Sequence, residues 1–125
     1  MPWSFQADTP IYTQLVARLQ EQIVSGAYPP GSKLPSVRDL AANAGVNPNT
    51  VQRALAELER LSLIYTQRTA GKFVTEDASA IDAARRALAE GQTRQYLAAM
   101  SALGFDRAAL ITFLNQMEET KDANS

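Results

Sequence analysis

The sequence of 125 residues contains no cysteine and no histidine. These absences exclude disulfides, thiol nucleophiles, zinc sites built on Cys or His ligands, and reactions that use imidazole as a base. Carboxylates, lysine, tyrosine and hydroxyl groups remain, but no acid pair, nucleophile–base pair or phosphate-binding loop occurs at a usable spacing. We therefore expect a protein that is not an enzyme and that holds no metal or other cofactor.

Long apolar runs and a strong net charge are also missing. No run approaches the length of a membrane span and no leader-like segment precedes residue 10, so we expect a cytoplasmic protein. The net charge is −1, with seven basic and seven acidic residues up to Asp77 and five and six after it. Total charge therefore does not indicate nucleic-acid binding, and such a function must depend on where the charges lie.

Three short amphipathic helices are predicted in the first half of the chain. Helix 1 should begin with Thr9 as its cap and Pro10 at the first helical position, and it should end at Gly26. Its apolar residues recur every four positions, which indicates one buried face. These residues are Ile11, Leu15, Leu19 and Ile23.

Helices 2 and 3 follow each other almost directly. Ser36 is a good N-cap for helix 2, Asp39 can act as its capping-box acid, and Gly45 ends it. Asn47 caps helix 3, with Pro48 at its first position. So tight a break between two helices predicts a helix-turn-helix. The buried stripe predicted for helix 3 consists of Val51, Ala54, Leu55, Leu58 and Leu61.

Two short β-prone segments follow helix 3. Leu63–Gln67 and Lys72–Thr75, separated by Arg68–Gly71, predict a hairpin with a four-residue tip. A hairpin directly after a helix-turn-helix makes a winged helix. We therefore predict a mainly α protein with a small β-hairpin, in which residues 1–77 form a winged helix-turn-helix domain.

The chain becomes an alanine-rich helical tail from Ala78 onward. Gly91 could break this helix, Gly104 should end it, and Asp106 can cap a final helix. Two helices cannot cover their own apolar faces, so residues 78–125 are predicted to be a dimerisation region; a ligand cavity is the less favoured alternative. The predicted interface residues are Leu97, Met100, Leu103, Leu110, Phe113, Leu114 and Met117.

The polar side of helix 3 is the candidate functional surface. Asn and Gln can make paired hydrogen bonds to adenine, Arg can do so to guanine, and Thr can contact a methyl group or a phosphate. Such residues at the start of a helix favour reading of the DNA major groove, although a solvated helix face explains them equally well. The residues are Asn49, Thr50, Gln52 and Arg53.

Further candidates lie outside helix 3. Ser36 and Arg38, at the start of helix 2, favour contact with a phosphate or a base. Around the hairpin tip, the two basic residues Arg68 and Lys72, with Thr69 and Gly71, could follow a neighbouring groove, but ordinary turn chemistry also accounts for them. Tyr12 is more typical of a packing residue, and Lys33 and Arg60 are interpreted as solvated surface charges.

Several separated motifs occur in a recognisable order. They are PIYTQL at residues 10–15, PGSKLPSVRDLA at residues 30–41, VNPNTVQRALAELE at residues 46–59 and FV at residues 73–74. In order and spacing they resemble the N-terminal domain of GntR-family transcription regulators, over roughly residues 9–77. The resemblance implies a winged helix that binds double-stranded DNA.

The tail length points to one branch of that family. Most branches carry a large effector-binding or aminotransferase-like domain after the winged helix, whereas only about 48 residues remain here. Two short tail helices and the VNPNT run are typical of the YtrA-like branch. The resemblance then implies a homodimer, paired through the tail, that binds an imperfect palindrome near a promoter and represses transcription. A small-molecule effector that binds between the tail helices and the winged helices is a separate hypothesis.

Carried over position by position, the resemblance places DNA contacts on residues that were singled out above. Two departures from the family pattern stand out. Ser62 replaces a glycine usual at the exit from helix 3, and a left-handed serine would cost about 1 kcal/mol unless the turn is built differently. The wing retains only Gly71 of a common Gly-x-Gly. The implied contacts are Ser36, Arg38, Asn49, Thr50, Gln52, Arg53, Thr69, Gly71 and Lys72.

An alternative function also fits the composition. The sequence pI of about 5.4 favours a winged-helix module that binds proteins and no longer binds DNA. The basic residues Arg38, Arg53 and Lys72 oppose it, because a module without a nucleic-acid partner has no need of them at these positions.

Overall fold

The computed structural model describes residue 5 and residues 10–117. Its elements divide between two compact units, Met1–Ala87 and Leu88–Ser125, and the fourth helix contributes to both. A helix-turn-helix followed by a two-stranded hairpin confirms the predicted winged helix. In chain order the elements are α1 (Ile11–Val24), α2 (Val37–Ala44), α3 (Pro48–Arg60), β1 (Ile64–Gln67), β2 (Gly71–Val74), α4 (Ala78–Ala102) and α5 (Arg107–Gln116).

The core of the first unit lies where α1, α2 and α3 meet. Each helix turns its apolar stripe inward, as its sequence period requires. None of the described polar or charged residues is buried, so this core depends on apolar contact. Its least exposed side chains, at 2% or less, include Leu15, Leu19, Ile23, Leu40, Val51, Ala54, Leu55, Leu58, Ile64 and Val74.

Side-chain caps define where α2 and α3 begin. The Ser36 hydroxyl accepts a hydrogen bond from the Asp39 backbone N–H at 3.1 Å, and the Asn47 side chain accepts one from the Asn49 N–H at 2.7 Å. Between them Gly45 adopts φ 73°, the left-handed conformation that ends α2. The predicted caps at both helix starts are therefore confirmed.

Three predictions at helix ends are wrong. Pro10 is the N-cap of α1, with ψ 137°, so the helix begins at Ile11; the predicted Thr9 cap lies outside the described residues. Ile11 is 45% exposed and Leu61 is 36% exposed, although both were expected to be buried. Each lies at a helix end, Ile11 opening α1 and Leu61 capping α3, whereas the buried members of each stripe lie in the interior of the helix.

The hairpin, together with its loop, forms the wing (residues 64–74). The strands pair antiparallel, from Ile64 opposite Val74 to Gln67 opposite Gly71. Gly71 therefore belongs to β2, and the loop has three residues rather than the predicted four. A further antiparallel bridge joins Lys33 to Phe73, which brings the segment before α2 alongside the wing.

The first part of α4 belongs to the first unit and makes polar contacts there. The Asp77 carboxylate accepts hydrogen bonds from the Ser79 hydroxyl at 2.7 Å and the Ser79 N–H at 3.0 Å, and these bonds lower the pKa of Asp77. Arg85 donates to the Val24 carbonyl at 2.9 Å, at the end of α1. The helix then continues through Gly91, so the break considered there does not occur.

The second unit consists of the rest of α4 and of α5. Gly104, at φ 97°, makes the turn, and the Asp106 carboxylate caps α5 by accepting from the Ala109 N–H at 2.8 Å, as predicted. Within the described residues no single helix is long and apolar enough to cross a membrane. Only α4 and α5 taken together reach that length and composition, and they are bent by 96° at their junction.

Ser62 provides a test of the backbone at the exit from α3. Its φ is 65°, the left-handed conformation, in which a Cβ costs about 1–2 kcal/mol. We expect Ser62→Gly to raise the free energy of unfolding by about 0.5–1 kcal/mol, once the extra freedom of glycine in the unfolded chain is subtracted. Urea denaturation measures the change. Ser25→Gly is the matched control, because Ser25 has φ −82° and should gain nothing; equal effects of both variants would contradict the strain argument.

Candidate nucleic-acid interface

The polar residues of α3 lie on its solvent side. Because Val51, Ala54, Leu55 and Leu58 point into the core, the intervening positions must point outward. Asn49, Gln52 and Arg53 are exposed, and Thr50 is half-buried. The first two turns of α3 therefore present two amides, a hydroxyl and a guanidinium, which are the groups that read base edges in the major groove.

Arg53 rests on an aromatic ring from α1. Its Cζ atom lies 4.1 Å from the centroid of the Tyr12 ring, within the range of a cation–π contact. Tyr12 itself is half-buried and packs against the core, as predicted. The ring therefore limits the directions in which the exposed guanidinium can point.

Ser36 and Arg38 occupy the start of α2. The Ser36 hydroxyl oxygen accepts the capping bond, and its proton is left to donate to an external acceptor. Arg38 is exposed and makes no hydrogen bond or ion pair with any other residue in the range 10–117. Both side chains are thus available to a ligand that approaches the start of this helix.

A groove of about 570 Å³ separates the start of α2 from the wing. Its lining brings together Ser36, Gly71 and Lys72 of the predicted site, whereas Arg38, Arg53 and Thr69 are not among the lining residues. The groove also contains Lys33, a cationic side chain that the sequence did not assign to DNA contact. Its charged lining residues are Lys33, Arg68, Lys72 and one acid, Asp39.

Lys72 differs from its predicted role as a free cation at the wing tip. Its ammonium lies 3.3 Å from a carboxylate oxygen of Glu59, in the last turns of α3, and donates to the Thr66 hydroxyl at 2.7 Å. Thr66 in turn donates to the same carboxylate at 3.1 Å. The side chain of Lys72 therefore faces α3 rather than the open end of the hairpin.

Lys33 is the residue that sequence reasoning missed. It is exposed, it lines the groove, and within residues 10–117 its ammonium has no hydrogen bond or ion pair. Its Cε atom lies 3.0 Å from the place where a Cβ on Gly71 would stand. Only the pairing of Lys33 with Phe73 places it there, and no local sequence signal reports that pairing.

Ion pairing determines which cations around α3 and the groove remain available to a ligand. Arg60 donates to both carboxylate oxygens of Glu57, at 2.9 and 2.6 Å, and these bonds lower the pKa of Glu57. Arg60 and Lys72 are thus neutralised locally. In the described part of the first unit the cations without an ion pair or hydrogen bond include Lys33, Arg38, Arg53 and Arg68.

The predicted dimer residues of the tail are mostly uncovered in the single chain. Leu97 and Met100 are half-buried, whereas Leu110 is only 4% exposed. Among residues 5 and 10–117 no cluster of acidic side chains could hold a metal ion. The exposed members of the predicted set are Leu103 at 72%, Met117 at 55%, Leu114 at 46% and Phe113 at 37%.

Comparison with known proteins adds independent evidence. The family model described as bacterial regulatory proteins, gntR family, matches residues 11–74. The uncharacterized HTH-type transcriptional regulator YhcF of Bacillus subtilis is 34% identical over 115 residues, which cover 92% of this chain and 95% of that protein. The HTH-type transcriptional repressor YtrA of the same organism is 45% identical over 73 residues, which cover 58% of this chain and 56% of that protein.

Solved structures agree with the sequence matches. A GntR family transcriptional regulator from Listeria monocytogenes has a TM-score of 0.81 at 41% identity, covering 91% of this chain and all of that one. AraR(DBD) in complex with operator ORX1 has a TM-score of 0.53 at 25% identity, covering 60% of this chain and 93% of that one. The former spans almost the whole chain, and the latter shows a related fold bound to DNA.

The contact between Tyr12 and Arg53 can be tested without any ligand. Tyr12→Leu should remove the ring-current shift of the Arg53 side-chain protons and lower the free energy of unfolding by about 0.5–1 kcal/mol through loss of the cation–π contact alone. Tyr12→Phe should preserve both, since the ring remains. Side-chain NMR measures the shifts, with Arg38 as the internal control; Arg53 resonances that do not respond to Tyr12→Leu would contradict the contact.

Proposed function

Because this chain belongs to the gntR family of bacterial regulatory proteins, we propose that this DNA-binding transcriptional regulator acts as a homodimeric repressor on a palindromic operator. The matched relatives are transcriptional regulators, which confirms the prediction that the chain is not an enzyme. Since its partner would be chromosomal DNA, we place its action in the cytoplasm.

One observation carries the proposal for the DNA surface. The outward residues in the first two turns of α3 are hydrogen-bonding groups with a single charge, and unpaired cations flank them on α2 and the wing side. Uncharged donors and acceptors discriminate base edges, whereas flanking cations bind the phosphates on either side. A helix face that is merely solvated does not require base-reading groups and flanking cations to be separated in this way. Because the whole chain has a net charge of −1, this local grouping of unpaired cations does not follow from its overall composition.

We assign the DNA contacts accordingly. The start of α3 enters the major groove with its base-reading residues, the start of α2 contacts the phosphate backbone, and the wing follows the neighbouring groove. Residues 1–77 form the DNA-binding domain in this proposal, and the first part of α4, up to Ala87, belongs to the same compact unit. The proposed contact set is Ser36, Arg38, Asn49, Thr50, Gln52, Arg53, Thr69 and Gly71; Lys72, also predicted from the sequence, is paired with Glu59 instead.

Dimerisation through residues 78–125 is supported by the apolar surface of the tail. Leu103 and Met117 are more than half exposed, and an apolar patch of this kind on a small unit favours a partner. Two-fold pairing through this patch presents two α3 helices to two half-sites, which requires a palindromic operator. The proposed interface is Leu97, Met100, Leu103, Phe113, Leu114 and Met117; Leu110, also predicted, is 4% exposed and so has little surface left for a partner.

The repressor role and the YtrA-like branch are supported by the relative named repressor YtrA, with 45% identity over 73 residues. That match covers little more than half of either chain. The 34% identity to YhcF over 92% of this chain extends the likeness to the short tail. A small-molecule effector stays part of the proposal only as a regulator that acts through the tail.

Arginine substitutions test the DNA surface. A duplex is first selected from a random library, and binding is then measured for Arg38→Ala and Arg53→Ala. Arg53→Ala should cost about 1–3 kcal/mol, concentrated at one base pair, because it reads a base edge. Arg38→Ala should weaken all sequences alike and reduce the salt slope by about 0.9, because it contacts a phosphate.

The matched control for these variants is Arg86→Ala. Arg86 is exposed on α4, so the variant removes the same charge from a surface outside the proposed contact set. Unchanged affinity of both test variants would overturn the proposed DNA surface, and a wild-type protein retained by no duplex would overturn DNA binding itself.

Substitutions in the tail test the dimer. Leu103→Gln combined with Met117→Gln should raise the dissociation constant of the dimer by at least about tenfold, since each buried apolar side chain contributes about 1.5–3 kcal/mol. Sedimentation equilibrium would then show the 13.6 kDa monomer at concentrations where the wild type has twice that mass. Leu61→Gln, an equally simple change on the first unit, should leave the dimer intact; a monomeric wild type would contradict the proposal.

A further inference from the structure

We propose that Lys33 supplies the phosphate contact beside the wing, and that Lys72, held by Glu59, positions the wing rather than contacting DNA. This inference rests on the proposed DNA-binding function, and it assigns the contact with DNA beside the wing to Lys33 instead of Lys72. It follows from three observations: the partners of Lys72, the placement of Lys33, and the charge of the groove between α2 and the wing.

The first observation is that Lys72 is already neutralised. Glu59, Thr66 and Lys72 form a closed set of contacts, with the ammonium 3.3 Å from the carboxylate and 2.7 Å from the hydroxyl. A phosphate would have to replace both partners. Moving Lys72 to DNA would also leave the Glu59 carboxylate unpaired close to the approaching polyanion, so one attraction would be gained at the cost of one repulsion.

The same contacts give Lys72 another role. Glu59 lies in the last turns of α3, whereas Thr66 and Lys72 are directly opposed on β1 and β2. The three side chains therefore join the end of the recognition helix to both strands of the wing. A two-stranded hairpin is marginal on its own, so this connection holds the wing at a set position relative to α3.

The second observation is the placement of Lys33. Backbone hydrogen bonds on either side of it, from the Leu34 N–H to the Lys72 carbonyl at 2.8 Å and from the Val74 N–H to the Ser32 carbonyl at 2.9 Å, hold its segment against β2. Its side chain runs over Gly71, where a Cβ would meet Cε at 3.0 Å and Nζ at 3.8 Å. Because Gly71 has no side chain, the Lys33 side chain has room to run along the wing.

The third observation is the charge around the groove. Lys33 and Arg68 line it as cations without a hydrogen bond or an ion pair to any other residue in the range 10–117. An exposed ammonium on a flexible stem is a point charge suited to phosphate rather than to paired reading of a base. Lys33 therefore occupies the position that a backbone contact beside the wing requires.

Salt dependence of binding separates the two lysines. Each cation that neutralises a phosphate contributes about 0.9 to the slope of log affinity against log salt. Binding of the full-length chain to the selected duplex is measured for the wild type, Lys33→Gln, Lys33→Arg, and the double variant Glu59→Gln with Lys72→Gln. The double variant removes the pair without changing net charge, which makes it the matched control for loss of Lys72.

We expect Lys33→Gln to lower the slope by about 0.9, so that the loss of affinity between about 50 and 200 mM salt becomes about 3.5-fold smaller. Lys33→Arg should restore the slope, and the double variant should keep the wild-type slope. Amide hydrogen exchange of the free protein should respond to the other lysine. Exchange across residues 64–74 should be faster in Lys72→Gln and unchanged in Lys33→Gln.

The outcomes are distinct. A wild-type slope in Lys33→Gln overturns the assignment of Lys33. A slope reduced by about 0.9 in the double variant, or an unchanged wing in Lys72→Gln, overturns the positioning role of Lys72. In all these cases salt-dependent binding by the wild type leaves DNA binding intact, whereas a wild type that binds no duplex overturns the proposed function and this inference together.

Discussion

The buried stripe of α3 is the constraint on which the rest of the structure depends. Val51, Ala54, Leu55 and Leu58 are at most 1% exposed, packed against α1 and α2. Since a helix has one orientation that buries such a stripe, the opposite side is determined at the same time. That side holds the amides and the guanidinium at the start of α3, so the apolar packing that stabilises the domain also orients its recognition residues.

Ion pairing, rather than the total number of charges, decides where positive charge is available on α3 and the wing. The chain carries a net charge of −1, yet Glu57 and Glu59 lie on α3 itself and take Arg60 and Lys72 as partners. Both pairs are solvent-exposed and contribute little to stability. Their effect is to hold acids and bases of α3 and the wing together, which leaves the unpaired cations to define the positive part of the surface.

Local features of the fold could be predicted well. The caps Ser36, Asn47 and Asp106 were identified because a cap depends only on residues two or three positions away. Errors occurred where a residue's environment depended on distant neighbours. Ile11 was expected to be buried from its spacing alone, and the hairpin tip was one residue too long because Gly71 pairs with Gln67.

By itself the sequence determined the helix-turn-helix, the wing, the two tail helices, and the side of α3 that faces solvent, because periodicity and capping act within a few residues. Tertiary structure alone decided which polar side chains are free. Arg53 lies on the Tyr12 ring, Lys72 faces Glu59 across 13 residues, and Arg85 reaches Val24 across 61. Such contacts require separate elements to be packed within a few ångströms, and only the folded chain brings them that close.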